Sequence, residues 1–315
     1  MPGTQQIPRI KPPVLRSGDK VGIVAPASNI KRELLEQGCA RLRELGYEPV
    51  YDASILERDL YFAGTVERRK RELEEMFTRT DIRAIVCARG GYGSNYLLNA
   101  MSPSKIIAHP KVFVGYSDLT SLLTCFTDSA GFVTFHGPMV TKDFAVADGV
   151  DLHSWLSAVS GEKEWQIADS GAKALAAGRG EGILYGGCLS ILVASLGTPH
   201  EIRTEGTILF LEDLAAKPYQ IDRMLMQLKL GNKFAGVRGV IFGEMIDCRQ
   251  SLPQDYTLEE VVMRVIGELN IPVAFGMRSG HVSRGNITLP FGVKARLEVD
   301  IDVSLTILEA ATERS

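Results

Sequence analysis

Short apolar runs alternate with segments of helical periodicity along the first half of this chain. Residues 20–26 (KVGIVAP) are an apolar run that ends at a proline, and they predict a buried strand. Leu35, Cys39 and Leu42 then share one helical face, and residues 47–51 predict the next strand. This order predicts a βαβ unit, and therefore a parallel sheet with right-handed crossovers.

Three later strands should end at one edge of that sheet. Apolar runs at residues 82–88, 112–114 and 132–135 predict buried strands. The segments that follow them are RGGYGS at 89–94, GYS at 115–117 and HGP at 136–138. Because the carboxyl ends of parallel strands line up where ligands bind, we expect these segments to border one crevice.

A strongly charged helix is predicted between the second and third strands. Residues 66–79 carry charges of both signs, with Leu73 and Phe77 on one side. Mixed-sign charge of this kind is typical of a solvated helix face, so we assign the segment no function.

The composition changes after about residue 160, where glycine and alanine become frequent. We therefore expect a first domain at residues 1–162, a linker at 163–180 and a second domain at 181–315. The second half predicts strands at 206–211, 237–242 and 273–276, and helices at 219–230 and 258–269. Its tail predicts antiparallel strands at 287–289, 295–299 and 303–307.

Composition and charge exclude several classes of protein. Of the 315 residues, 45% are hydrophobic and 23% charged, as is typical of a globular protein with a large core. The formal net charge of −3 gives no electrostatic case for nucleic acid. No apolar run approaches the roughly 20 residues of a membrane span. The N-terminus lacks the apolar region of a secretory signal, so we predict a cytoplasmic protein.

The cysteines and histidines show no metal-binding pattern. The five cysteines are scattered without a CxxC pair, and the five histidines include no HExxH. The turn after the first strand, APAS at 25–28, also lacks the GxGxxG of a dinucleotide site. We therefore predict neither a metal nor an organic cofactor.

Ser117 can be interpreted in two ways. Gly115 permits a sharp turn before it, and a helix is predicted at 119–126. A serine on a tight strand-to-helix turn projects its hydroxyl from the edge of the sheet, as in a nucleophile elbow. Serine and aspartate are also preferred helix N-caps, so the other interpretation is that Ser117 or Asp118 only caps the helix.

A serine nucleophile needs a base, and the base needs a carboxylate to orient it, because the hydroxyl stays protonated at neutral pH. Glu212 follows the strand at 206–211, and His281 lies in a glycine-flanked loop after the strand at 273–276. Taken alone, Glu212 fits a surface or capping acid, and His281 fits a hydrogen-bonded loop histidine. The glycines at 90–93 fit either a close approach to phosphate or an oxyanion, or an ordinary tight turn.

Motifs along nearly the whole chain resemble the LD-carboxypeptidase family of serine peptidases. They are VAPAS at 24–28, ARGGYGS at 88–94, GYSDLT at 115–120, HGP at 136–138, GGxLS at 186–190, LGTP at 196–199, LED at 211–213, PYQIDRML at 218–225 and GH at 280–281. The resemblance implies that Ser117 is the nucleophile, His281 the general base and Glu212 the residue that orients it. It also implies an oxyanion hole from the backbone N–H groups of Gly91 and Asp118. A lipase or esterase is disfavoured, because Leu119 replaces the second glycine of GxSxG.

The same resemblance implies the fold and the reaction. The fold is α/β: an N-terminal open parallel sheet like that of class I glutamine amidotransferases, and a smaller β-rich α/β C-terminal domain. The active site lies between the two. Members of the family cleave the amide bond to the terminal D-alanine of murein tetrapeptides in cytoplasmic peptidoglycan recycling, and the family suggests a homodimer. Arg89 is our candidate for binding the D-alanine carboxylate, since guanidinium binds carboxylates bidentately; a role in loop packing is the other interpretation.

Two other functions stay open beside this one. Some relatives resemble microcin C immunity proteins, which cleave acyl-sulfamoyl adenylates and stack the nucleobase, but Trp155 and Trp165 are poorly placed for stacking. The other is a non-catalytic muropeptide-binding protein, against which the complete Ser/Glu/His set argues. Cys188 stands where the family commonly has asparagine, and it either alters the pocket or only fills space.

Overall fold

A computed structural model of the protein describes residues 9–250 and 255–314. In chain order the strands are Lys20–Val24 (β1), Glu48–Val50 (β2), Ile82–Cys87 (β3), Val112–Gly115 (β4), Thr134–His136 (β5), Trp165–Ala168 (β6), Lys173–Ala176 (β7), Gly178–Cys188 (β8), Thr207–Glu212 (β9), Gly239–Gly243 (β10), Val273–Met277 (β11), Leu289–Phe291 (β12), Lys294–Val299 (β13) and Val303–Ile307 (β14). The α-helices are Arg32–Glu44 (α1), Val66–Thr78 (α2), Asn95–Leu98 (α3), Pro103–Ile107 (α4), Thr120–Cys125 (α5), Leu152–Val159 (α6), Leu189–Ala194 (α7), Pro218–Leu230 (α8) and Leu258–Ile266 (α9).

The first five strands form a parallel sheet in the order β2-β1-β3-β4-β5, which confirms the prediction for the first half. The strands β3 and β4 are almost entirely buried, as expected of apolar runs covered by helices on both faces. A sixth strand, β12, comes from the far end of the chain and pairs antiparallel with β5, with Leu289 opposite His136. The carboxyl ends of β1, β3, β4 and β5 therefore lie along one edge.

The second sheet has eight strands in the order β6-β14-β13-β8-β9-β10-β11-β7. Its centre, β8 to β11, is parallel, and the flanking strands are antiparallel. The predicted mixed α/β fold with two sheets is confirmed. Cys188 and Glu212 are register partners at the ends of β8 and β9, so the two side chains begin from neighbouring positions.

The segment 163–180, expected to be a linker, forms part of the second sheet. The strands β6 and β7 lie there, at the two edges of that sheet, and β8 begins at Gly178. The tail is likewise divided, because β13 and β14 extend the second sheet whereas β12 belongs to the first. The proposed division into domains at 1–162 and 181–315 stays a prediction.

Two clusters of buried apolar side chains hold the sheets and their helices together. One covers the first sheet and continues onto β13 and β14, and the other lies under α7, α8 and α9. Because the larger cluster joins side chains from both halves of the chain, the two sheets are packed as one body. Among the described residues, the helices are all too short or too polar to span a bilayer.

Candidate active site

Ser117 lies two residues beyond the end of β4, in the turn that leads into α5. Its φ of +63° is a left-handed conformation that costs a non-glycine residue about 1–2 kcal/mol and often marks functional turns. A Cβ at Gly90 would fall 2.9 Å from the Ser117 Cβ, so the turn is held from the side by the glycine loop. The turn into α5 contains a 3-10 segment, Ser117–Leu119, and no side-chain capping bond is made there among the described residues. No hydrogen bond therefore supports the interpretation of Ser117 as a helix cap.

Asp118 is buried and directs its side chain to the glycine loop, residues 89–94. Its Oδ2 accepts a hydrogen bond from the Ser94 backbone N–H at 2.8 Å, and its backbone carbonyl accepts one from the Ser94 hydroxyl at 2.6 Å. Burial raises the pKa of this carboxyl. These contacts fix the glycine loop against the turn that carries Ser117.

Gly91 occupies a position that only glycine fits. Its φ is +99°, and a Cβ there would fall 2.3 Å from the Ser28 hydroxyl oxygen. The neighbouring Tyr92 donates its backbone N–H to that oxygen at 3.1 Å, which ties the loop to the segment after β1. Within residues 9–250 and 255–314, the N–H of Gly91 donates no hydrogen bond and is available to a ligand.

Side chains of the charged helix α2 bind the glycine loop and the segment that follows β1. The prediction that this helix presents a solvated charged face is therefore wrong for these side chains. Buried Arg69 donates from Nη1 to the carbonyls of Pro26 at 2.9 Å and Gly93 at 2.7 Å. Glu72, also buried, accepts the backbone N–H of Ala25 at 2.8 Å. Loop backbone at a sheet edge needs hydrogen-bond partners once it is buried, and these charged side chains supply them.

Glu212 ends β9, is fully buried and binds His281. Its Oε2 accepts from Nδ1 of His281 at 2.7 Å and from the His281 backbone N–H at 3.2 Å. Burial alone would raise the pKa of Glu212, but the attraction of His281 and His136 outweighs it and lowers that pKa to about 2. A carboxylate on Nδ1 leaves Nε2 of His281 as the ring nitrogen that can take a proton, which is the arrangement of a general base.

The Glu212–His281 pair lies beside the turn that carries Ser117. The ring of His281 packs edge-on against Tyr116, with 5.2 Å between ring centroids. Ser117 and the pair thus come from three distant segments to one place. Among the described residues, His281 is bound to Glu212 through Nδ1, whereas Ser117 Oγ makes no hydrogen bond. Hydrogen bonds in a site without its ligand are often long and tighten on binding.

Arg89 is exposed at the rim of the glycine loop. Its Nη1 donates to the backbone carbonyl of Asn29 at 3.2 Å, which joins the loops after β1 and β3. Arg89 therefore has a packing contact, and its Nε would lie 3.9 Å from a Cβ at Gly91.

Cys188 is buried beside Glu212. Its backbone N–H donates to Oγ1 of Thr120 at 3.0 Å, and its Sγ lies 3.3 Å from the Ser190 hydroxyl. Burial raises the pKa of Cys188 well above its usual range, so the side chain is a neutral thiol.

His136 belongs to the same buried cluster, although we predicted for it only a position at the border of the crevice. It ends β5 with Nδ1 2.9 Å from the Ser279 hydroxyl and Nε2 3.9 Å from Oε1 of Glu212. The only feature of the sequence that pointed to His136 is its position in the HGP motif, directly after the apolar run at 132–135.

Among residues 9–250 and 255–314, no cluster of three or more His, Cys, Asp or Glu side chains could hold a metal ion. A cavity of about 300 Å³ lies between α3, α5 and α7, with Asn99, Thr124 and His200 among its lining residues. Ser121 of α5 also lines this cavity, whereas Ser117 does not.

Comparison with known proteins places these features in one family. The sequence matches the LD-carboxypeptidase N-terminal domain over residues 21–137 and the LD-carboxypeptidase C-terminal domain over residues 181–297. It is 37% identical over 294 residues to a probable murein peptide carboxypeptidase of Bacillus subtilis, covering 91% of each chain. It is 29% identical to the microcin C7 self-immunity protein of Escherichia coli, covering 95% of this chain and 96% of that protein. The crystal structure of muramoyltetrapeptide carboxypeptidase from Oxalobacter formigenes has a TM-score of 0.82 at 28% identity, covering 92% and 99% of the two chains.

Proposed function

This chain belongs to the LD-carboxypeptidase family and is a peptidase, and we propose that it releases the terminal D-alanine from murein tetrapeptides by hydrolysing an L,D-amide bond. One observation supports the proposal most strongly. The buried Glu212–His281 pair, with 2.7 Å between Oε2 and Nδ1, lies beside the strained turn that presents Ser117. These are the three groups that acyl transfer by a serine requires.

The proposed chemistry assigns each group one task. Ser117 Oγ attacks the amide carbonyl carbon while Nε2 of His281 takes the hydroxyl proton. The same nitrogen returns that proton to the departing amine of D-alanine, which leaves an acyl-enzyme on Ser117. Water, deprotonated in turn by His281, then hydrolyses the ester and restores the serine. Glu212 keeps the His281 ring in the correct tautomer and stabilises its cation.

The oxyanion of the tetrahedral intermediate is assigned to the N–H groups of Gly91 and Asp118. The N–H of Gly91 is unused within the described ranges, and both residues border the Ser117 turn. Donors fixed by the surrounding loops stabilise developing charge without reorganisation. Asp118 also stands at the start of a helical segment, whose N-terminal N–H groups favour negative charge.

The substrate class follows from the relatives and from one exposed cation. Relatives of this chain are named for murein peptide and murein tetrapeptide. The carboxylate of D-alanine needs a cationic partner, and we assign Arg89 to it. Reaction in the cytoplasm during peptidoglycan recycling, and a homodimeric state, complete the proposal.

Cleavage of an acyl-sulfamoyl adenylate is the second candidate, favoured by the similarity to the microcin C7 self-immunity protein. The deciding experiment offers the purified protein a murein tetrapeptide and an aminoacyl-sulfamoyl adenylate side by side, at equal concentration. We expect release of D-alanine with little cleavage of the adenylate. The reverse preference would replace the first candidate with the second, and tight binding of the tetrapeptide without cleavage would favour a muropeptide-binding protein.

A further inference from the structure

Two buried polar atoms face each other at the centre of the site and have no other partner among the described residues. They are Nε2 of His136 and Oε1 of Glu212, 3.9 Å apart. Both side chains are fully buried. A buried polar atom without a partner is destabilising, and more so when the group is charged, so the position of the proton between these two atoms matters.

The hydroxyl of Ser279 decides between two protonation patterns. Its oxygen lies 2.8 Å from the carbonyl of Ile287 and 2.9 Å from Nδ1 of His136, but it has one proton to give. If Ile287 receives that proton, Nδ1 carries the ring proton and a bare Nε2 faces the carboxylate of Glu212. If His136 receives it, the ring proton lies on Nε2 and faces Oε1.

The second pattern is the favourable one. It leaves the neutral carbonyl of Ile287 without that donor, whereas the first leaves an ionised carboxylate oxygen opposite a lone pair. A buried ionised oxygen without a donor is more costly than a buried neutral carbonyl without one. Burial lowers the pKa of His136, which agrees with a neutral ring that carries a single proton.

We propose that His136 is a positioning residue whose Nε2–H faces Oε1 of Glu212 and holds this carboxylate ionised and in the rotamer that binds His281. Glu212 then lies between two imidazole rings, one on each oxygen. At 3.9 Å the contact is electrostatic rather than a full hydrogen bond. The inference rests on the proposed function, because orientation of His281 matters only if His281 is the base.

The other titratable groups around the pair do not compete for this role. Those that face Glu212 are His281, Tyr116, Cys188, Asp213 and Cys248. Burial raises the pKa of the tyrosine and of both thiols, so they stay neutral near pH 7. Asp213 is occupied by the backbone N–H groups of Ser190 and Leu214, each at 2.8 Å.

The first test needs no turnover. In the Ser117→Ala variant labelled with ¹⁵N-histidine, the nitrogen resonances of His136 report which ring atom carries the proton; His136→Asn in the same background assigns them. We expect a protonated Nε2 and an unprotonated Nδ1. A proton on Nδ1 alone would overturn the proposal, even if the protein proves to be the proposed enzyme.

The second test compares two substitutions of His136. Glutamine can place an N–H near the position of Nε2, whereas asparagine reaches only the position of Nδ1, beside Ser279. We expect His136→Asn to lower kcat for D-alanine release by about 10–100-fold with little change in KM, the loss of one contact to a charged group. We expect His136→Gln to recover at least tenfold of that loss. His153→Asn makes the same change at an exposed histidine and serves as the control.

The pH profile separates positioning from packing. Without the N–H of His136, Glu212 keeps its proton to higher pH, so the acid limb of kcat/KM should move upward in His136→Asn and not in His153→Asn. If His136→Asn and His136→Gln lose the same factor in kcat and the acid limb of kcat/KM does not move, His136 has a packing role only. If the wild-type protein releases no D-alanine, the proposed function fails while the nitrogen spectrum still decides the state of His136.

Discussion

Gly280 lies directly on the carboxylate of Glu212: a Cβ at Gly280 would fall 2.7 Å from Cδ of the glutamate. The same Cβ would fall 2.9 Å from Cε1 of His136. The φ of Gly280 is +87°, in the left-handed region that favours glycine. Backbone rather than a side chain therefore covers this side of the buried cluster.

The substitution Gly280→Ala should disturb both stability and activity. We expect the free energy of unfolding to fall by about 2–4 kcal/mol, from overpacking together with the left-handed backbone, and D-alanine release to fall more than tenfold. Urea denaturation and steady-state kinetics measure the two effects. Gly18→Ala is the matched control, since Gly18 has a φ of +88° and no atom within 4 Å of its ideal Cβ. Equal losses at the two sites would contradict the close packing on Glu212.

Ser117→Ala should lower kcat by roughly 10⁵–10⁶-fold, the cost seen when a catalytic serine is removed from a triad. The reason is that no other group on the turn supplies a nucleophile to the carbonyl. Release of D-alanine is the measurement, with the thermal midpoint as the check that the variant folds. Activity like that of the wild type would remove Ser117 from the mechanism.

Ser117→Gly should be more stable than Ser117→Ala, by about 1 kcal/mol. Both variants lack the hydroxyl, but only glycine adopts a φ near +63° without strain. Urea denaturation of the two variants compares them directly. An alanine variant as stable as the glycine variant would show that the turn relaxes when the serine is replaced.

Glu212→Gln should lower kcat by about 10⁴-fold with a small change in KM, because an amide can stabilise neither the tautomer nor the cation of His281. The loss should be the same for substrates of different length, since Glu212 does not reach the substrate. Steady-state kinetics with a tetrapeptide and with a shorter peptide ending in D-alanine provide the test. A loss below tenfold would mean that Glu212 has no part in catalysis.

Asp143 should make folding stability depend on pH. Burial raises its pKa to about 6, although its carboxylate accepts the backbone N–H of Met139 at 2.8 Å. The unfolded chain loses this proton near pH 4, so the stabilisation is complete below pH 4 and is lost as the pH rises to about 6. We expect Asp143→Asn to gain stability relative to the wild type between pH 4 and 7, by up to about 3 kcal/mol. A difference that is constant with pH in urea denaturation would contradict this.

Much of the first sheet could be predicted because its strands are apolar runs separated by helices of clear periodicity. Because the carboxyl ends of parallel strands line up, the positions of the strand ends also predicted that the Ser117 turn and the glycine loop meet at one edge of the sheet. The strand β12 could not be assigned to that sheet, since three residues that include a proline give no sign of their partner. The strand β7 was missed because its alanines are weak strand formers. The strand β6 was missed because it is only four residues long and lies within the segment interpreted as a linker.

Within the site, residues that belong to motifs could be identified, whereas those that act through distant partners could not. His136 depends on Ser279, 143 residues further along the chain, and no local pattern reports that pairing. Arg69 and Glu72 looked like surface charges because their partners are loop carbonyls and N–H groups, which leave no trace in side-chain periodicity. Hydrogen bonds between polar groups that are distant in the sequence are therefore the part of the site that could not be predicted.

The strand β12 has a consequence for the order of events during synthesis. The edge strand β5, which ends at His136, gains its antiparallel neighbour only when residues 289–291 have been made. Glu212 and His281 also precede that point in the chain. A nascent polypeptide can therefore build most of the first sheet before residues 289–291 are made, whereas the edge strand that ends at His136 is covered only afterwards.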